Sequence, residues 1–359
     1  MKTTQAAGRQ ISVLLIAFVA LFGAINVQAA NYTAAISGNW NGDAFAIWGV
    51  AKTSQTGTIF VNNTSTSAVV GTGTSFTTTV VVGDSIYAGS TFIGIVGIIT
   101  DNTHLSLAAN SLAGVPAGTA WFSARPPTSS DTVTIPSGKT ITIQNSDPRT
   151  LGSVILSGQL SVGSGSGSVA VTVGGDMTVN SGGILKLDTQ NAQGITYNGN
   201  VTNNGATLYS ANGSTTYTYA GGTVGSPKYL VGNITNVIAK VTGVYVNLGN
   251  LVTGSGQQVT GLQGTGGSLT NLGVIYYGGN AVPSITTLIT TNTGSAFICV
   301  SGSGQQGFSF SGKYYNLNYG AAGGTPSLAS ITDIYYNLTL AAGVSTWPSS
   351  LNFAGTLLN

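Results

Sequence analysis

The chain has 359 residues, of which 5% are charged and 53 are glycine; every acid is an aspartate, and ten bases face eight acids with no basic run. That balance argues against an electrostatic nucleic-acid surface, and the 42% hydrophobic content argues against a disordered chain despite the low charge. A single cysteine, Cys299, excludes an internal disulfide, and with a single histidine, His104, it excludes the usual zinc sites.

Residues 1–30 read as a secretory signal peptide. Lys2 and Arg9 open it, residues 11–24 are a continuous apolar run, and Val27-Gln28-Ala29 offers small residues for cleavage. The alternative is an uncleaved anchor, but a spanning helix needs about 20 apolar residues. No second such segment follows, so no membrane span is expected after cleavage. Removing the signal leaves eight bases against eight acids, so the pI of 8.6 owes much to it. Near-zero net charge favours self-association. An exported protein without disulfides depends on repetitive packing or assembly for its stability.

Residues 31–55 carry two tryptophans, in Asn39-Trp40-Asn41 and Ile47-Trp48-Gly49. Residues 56–122 then change character. Strands are expected at 58–61, 68–71, 80–86, 92–100, 105–108 and 120–123, with turns at Gly83-Asp84 and Asp101-Asn102. Through GTGTSFTTTVVVGDSIYAG and ITDNTHLSLAAN this stretch resembles the small β-barrel modules of phage tails and other surface proteins. His104 lies here, beside a turn, without a G-x-S-x-G nucleophile elbow.

From Pro126 to Leu187 short apolar alternations recur: Val133/Ile135, Ile141/Ile143, Val154/Leu156, Leu160/Val162, Val171/Val173, Met177/Val179 and residues 184–187. Period two marks strands with one buried face, and Gly, Ser and Asn separate them as corners of a wound solenoid. Pro136-Ser137-Gly138 is expected to turn tightly, pairing strands 132–135 and 140–143 with their aliphatic residues on one face. Asparagines at corners are expected to stack in ladders between coils. Further on, KYYNLNY at 313–319 is echoed by IYYNLTL at 334–340, an offset of 21 residues that matches one coil. The fold class expected is all-β: a right-handed parallel β-helix over 123–359, with the small barrel-like module inserted near its start.

Gly38-Asn39-Trp40, Trp48-Gly49, Pro127 and then Asp131-x-Val133-x-Ile135-Pro136-x-Gly138-x-x-Ile141-x-Ile143 resemble the start of a G8 domain. Such domains occur in secreted and cell-surface proteins, often bacterial, and lead into a parallel β-helix. The resemblance implies an extracellular role with glycan or protein partners. It departs from the pattern in that about 75 residues separate the tryptophans from the proline-rich half; a loop insertion accounts for this, since loop entropy grows slowly with length. The YxNL repeat likewise resembles coils of bacterial surface adhesins. Trp40 and Trp48 are most simply a plug over the open end of the core, with ligand stacking as the alternative.

Candidate chemistry is sparse. Asp176 and Asp188, with Lys186, offer a pair of carboxylates on adjacent coils for glycosidase- or lyase-like work, or simply solvated turn acids. Thr132/Thr134 and Thr140/Thr142 offer a hydroxyl face of the ice-binding kind, or ordinary strand surface. The doublets Tyr276-Tyr277, Tyr314-Tyr315 and Tyr335-Tyr336 should each place one ring inward and one outward. The outward rings make either a ligand-stacking stripe or a ladder packed on itself. Cys299 reads as a buried small hydrophobe. No cofactor is expected. The reading is a secreted structural or adhesive surface protein without catalysis, able to associate through its solenoid ends. A carbohydrate-binding or lyase-like β-helix is the alternative, and an ice-binding protein the third.

Overall fold

A computed structural model describes residues 29–359 apart from 145–146, 148–149, 164–168, 188–193, 205–206, 211–214, 237, 254–260, 279–282, 300–308, 320–326, 341–350 and 359. Residues 1–28 of the expected signal peptide, and Asp188, therefore lie outside the described residues. The chain winds into a parallel β-solenoid of about 7 turns carrying a small closed barrel of 6 strands.

Each coil contributes to three faces. The first begins with Asn31–Thr33, Thr132–Ile135, Ser153–Leu156, Met177–Val179 and Val201–Asn203, each in parallel register with the next. The second begins with Gly38–Asn39, Thr140–Ile143, Gln159–Val162 and Ile184–Leu187. The third stacks Thr150–Leu151, Ala170–Val173, Gly194–Tyr197, Thr216–Tyr219 and Ile238–Val241. Strands 132–135 and 140–143 thus do not pair with each other, contrary to the sequence expectation. The turn between them, with Lys139 N donating to Pro136 O at 3.1 Å and Gly138 at φ +75°, steers the chain from the first face to the second. A hairpin would have buried the same aliphatic residues, so alternation alone could not separate the two topologies.

Alternation becomes burial throughout. Val133, Val154, Met177 and Val201 form one inward rank, and Ile141, Leu160 and Leu185 another, all at most 2% exposed. Midway along the core aromatic rings join the aliphatic filling. Tyr197 stacks on Tyr219 at 5.4 Å, and Tyr219 meets Tyr245 edge-on at 5.4 Å. Two of these buried hydroxyls have clear partners: Tyr245 donates to Tyr197 O and Gly199 O, and Tyr219 accepts from Asn236 Nδ2 at 2.8 Å.

Two devices let successive coils approach. The first is a run of corner glycines. A Cβ on Gly199, Gly221 or Gly243 would lie 2.2, 1.8 and 1.8 Å from a carbonyl oxygen of the preceding coil. The second is buried asparagine. Asn247 Nδ2 donates to Asn271 Oδ1 at 2.8 Å, to Gly249 O and to Val274 O, and Asn271 Nδ2 donates to Ala296 O at 3.0 Å. Replacing Asn247 by alanine strands these acceptors in the core. The expected cost is about 2–3 kcal/mol, read as a lowered midpoint in chemical denaturation.

The inserted module runs from Thr53 to Ala124 as an antiparallel barrel. Trp121 and Phe76 pack edge-on at 5.2 Å in its own core. The expected strand at 80–86 is corrected: Phe76–Thr79 is a short helix, the strand is Ser85–Ala88, and Val81-Val82 lie in the turn between. Apolar content there misled, because Val81 and Val82 are 48% and 63% exposed. No helix among the described residues is long and apolar enough to cross a membrane.

Candidate functional site

At the N-terminal end, Asp43 caps a one-turn helix, Ala44–Trp48, by accepting from Ala46 N at 3.0 Å. This turn carries Trp48 onto Trp40: the rings meet edge-on at 5.1 Å, and Trp48 Nε1 donates to Trp40 O. Both indoles are buried in the solenoid core. Trp40 Nε1 has no hydrogen-bond partner among the described residues. The barrel is docked on this same turn. Tyr87 OH donates to Asp43 Oδ1 at 2.6 Å, Phe45 N donates to Tyr87 OH, and Ala44 N donates to Ser85 Oγ. Lys52 Nζ lies 4.1 Å from the Tyr87 ring centroid. Burial and the neighbouring Asp43 carboxylate push the Tyr87 phenol up, so it stays protonated and donating.

The other residues of the G8-like motif build the first full coil. Asp131, 3% exposed, accepts from Ala30 N at 2.8 Å and from Thr128 N and Oγ1 at 2.6 and 2.7 Å. It ties residue 30 to the turn that follows Pro127. Val133, Ile135, Ile141 and Ile143 point inward at 0% exposure. Beside this coil, Asp84 and Arg125 pair through two contacts of 2.9 and 3.0 Å at the barrel–solenoid junction.

The remaining candidates are dispersed. His104 Nδ1 is 3.1 Å from Asp101 in an exposed turn. The Thr103 N–H and hydroxyl, with His104, pull the Asp101 carboxyl to about 2. Cys299 is fully buried and desolvation pushes its thiol up, which leaves it unreactive. Lys186 stands outward on the second face, in register with Ser161.

Thr132 and Thr134 are followed on the next coil by Ser153 and Ile155, and Thr140 and Thr142 by Gln159 and Ser161. A longer hydroxyl rank lies elsewhere. Thr150, Thr172, Thr196 and Thr218 stack on the third face until Lys240 ends the series. Sequence reading missed it because corners of unequal length hide the register.

Near the C-terminal end the 21-residue echo becomes adjacent rungs, with Asn316, Leu317 and Asn318 facing Asn337, Leu338 and Thr339. Tyr276/Tyr277 and Tyr314/Tyr315 alternate, the second and first ring respectively being buried. Tyr335 and Tyr336 do not, being 42% and 52% exposed. The register shifts by one residue between Tyr314↔Ile334 and Asn316↔Asn337, and this bulge turns both rings outward. Tyr336 stacks on Tyr315 at 5.4 Å and 5°.

Beside them Asp333 accepts from Lys313 Nζ at 2.9 Å and Asn352 Nδ2 at 2.8 Å, and Lys313 chiefly holds its carboxyl near 2 against an ordinary 3.8. A carboxyl lowered on folding stabilises the fold above its unfolded value and loses that contribution as pH falls through its folded value. Stability is therefore expected to drop between about pH 4 and 2, and less so in Asp333→Asn, as thermal melts across that range will show.

Together these features define a parallel β-solenoid whose N-terminal end is plugged by two tryptophans and clamped by a barrel. The chain matches no protein-family model, no curated protein and no solved structure.

Proposed function

We propose that this chain is a secreted structural or adhesive protein of the cell surface or extracellular matrix, with a G8-like start and no catalytic role. One observation carries the reading: each of the seven described aspartates is committed to the frame. Asp43 caps a helix, Asp131 and Asp147 close turns, and Asp101 braces one. Asp84 and Asp333 are ion-paired, and Asp176 binds the next coil through Asn200. Acids bound in caps, turns, ion pairs and coil contacts leave most of the outer faces to hydroxyls, amides and exposed tyrosines, a surface suited to holding partners. Seven stacked turns make a rigid stalk for that surface.

The test has two arms. Export from a bacterial host is followed by N-terminal sequencing, and cells displaying the mature chain are scored for attachment to matrix- and glycan-coated surfaces. Cleavage near residue 29 with raised attachment supports the proposal. Retention with an intact N-terminus overturns export, and attachment equal to cells displaying an unrelated domain overturns adhesion.

A further inference from the structure

The adhesive reading leaves open what is held, and a groove of about 370 Å³ on the first face has a definite chemistry. Its floor is two outward hydroxyls on successive rungs, Thr178 and Thr202, with Val231 on the rung beyond. One edge is a ladder of side chains. Asn200 Nδ2 donates to both oxygens of Asp176, at 3.1 and 3.2 Å, and Asn200 N donates to Oδ1 at 2.8 Å. Asn200 Oδ1 in turn accepts from Tyr229 N at 3.0 Å, which fixes the backbone carrying the Tyr229 ring. That ring is 40% exposed, and Leu248, 46% exposed, continues the floor on the rung after Val231.

The geometry points to a binding site for a neutral oligosaccharide laid along the coil axis, an inference that rests on the adhesive reading and names its ligand class. A carboxylate and an amide held side by side can accept from and donate to neighbouring sugar hydroxyls. An exposed tyrosine and two aliphatic side chains suit the apolar face of a pyranose ring, and the threonines repeat at the rung spacing of about 4.8 Å. A peptide fits less well. Sheet-binding peptides use free backbone groups at an edge, whereas the strands beneath this groove are paired on both sides. An anionic polymer is disfavoured too, because the lining holds one carboxylate and no base.

The test uses the mature full chain on immobilised β-glucan, mannan, xylan and polygalacturonate, with binding read by biolayer interferometry. Retention on at least one neutral glycan is expected, about tenfold weaker in both Tyr229→Ala and Asp176→Asn. Tyr336→Ala, which alters the distant exposed pair, should bind as the parent does, and Tyr229→Phe, which keeps the ring, should lose less than Tyr229→Ala. Circular dichroism checks that each variant keeps its strand content. The inference is overturned by no neutral glycan binding, by retention on polygalacturonate alone, or by equal retention in both groove variants. Cell attachment without glycan binding would sink this site and leave the adhesive reading standing. Glycan binding without attachment would do the reverse.

Discussion

Replacing Trp40 by alanine is expected to lower the stability of the solenoid by about 3–5 kcal/mol, the range for deleting a fully buried indole. The indole is 0% exposed and lies between the first coil and the helical turn that carries Trp48. Its loss opens a cavity against Trp48 and frees the turn on which the barrel is docked through Tyr87 and Ser85. The effect should therefore reach beyond one contact. The midpoint for urea unfolding should fall, and the opened end should promote association, because an uncovered solenoid end invites pairing. Trp40→Phe separates the contributions. It keeps most of the ring and removes an N–H that has no partner among the described residues, so its cost should be clearly smaller. An unchanged midpoint in Trp40→Ala would show that the plug does not hold the end.

Gly243→Ala is expected to be as damaging although it adds a single methyl. The new Cβ would lie 1.8 Å from Gly221 O and 2.7 Å from both Ala220 C and Ala220 O. The Gly221 carbonyl is not free to move, since it accepts from Val244 N at 3.0 Å in the ladder between coils. Relief requires two coils to separate where Gly243 N also bonds Tyr219 O. A backbone clash of this kind costs more than side-chain overpacking, so a loss of at least about 3 kcal/mol is expected, seen as a collapse in soluble yield or a lowered denaturation midpoint. Gly225→Ala is the matched control, for its Cβ would meet nothing within 4 Å. Equal behaviour of the two variants would overturn the view that corner glycines set the distance between coils.

Much of the architecture was legible because burial in a solenoid repeats a local rule. Val133, Ile135, Ile141, Ile143 and their successors alternate with Thr and Ser, and that alternation is the inward face. The YYNL echo was legible for the same reason, since Leu317 and Leu338 occupy equivalent places one coil apart. The aspartates and tyrosines were less so. Asp176 reads in sequence as a corner acid after two glycines, and nothing local reveals that Asn200 will bind it from the next coil. Tyr335 and Tyr336 looked like an alternating pair until a one-residue bulge turned both outward.

What the sequence determined by itself was the kind of structure: strands of one buried face, corners of glycine and asparagine, an inserted module of another character, and tryptophans to close an end. Hydrophobic periodicity and turn chemistry are short-range, so they survive in the linear string. Tertiary structure alone decided which coil residue meets which. Corner lengths vary along the chain, so register between rungs is set by long-range packing. The groove of Asp176, Thr178, Thr202 and Tyr229 exists only once that register is made, as do the threonine rank on the third face and the docking of the barrel on the tryptophan plug.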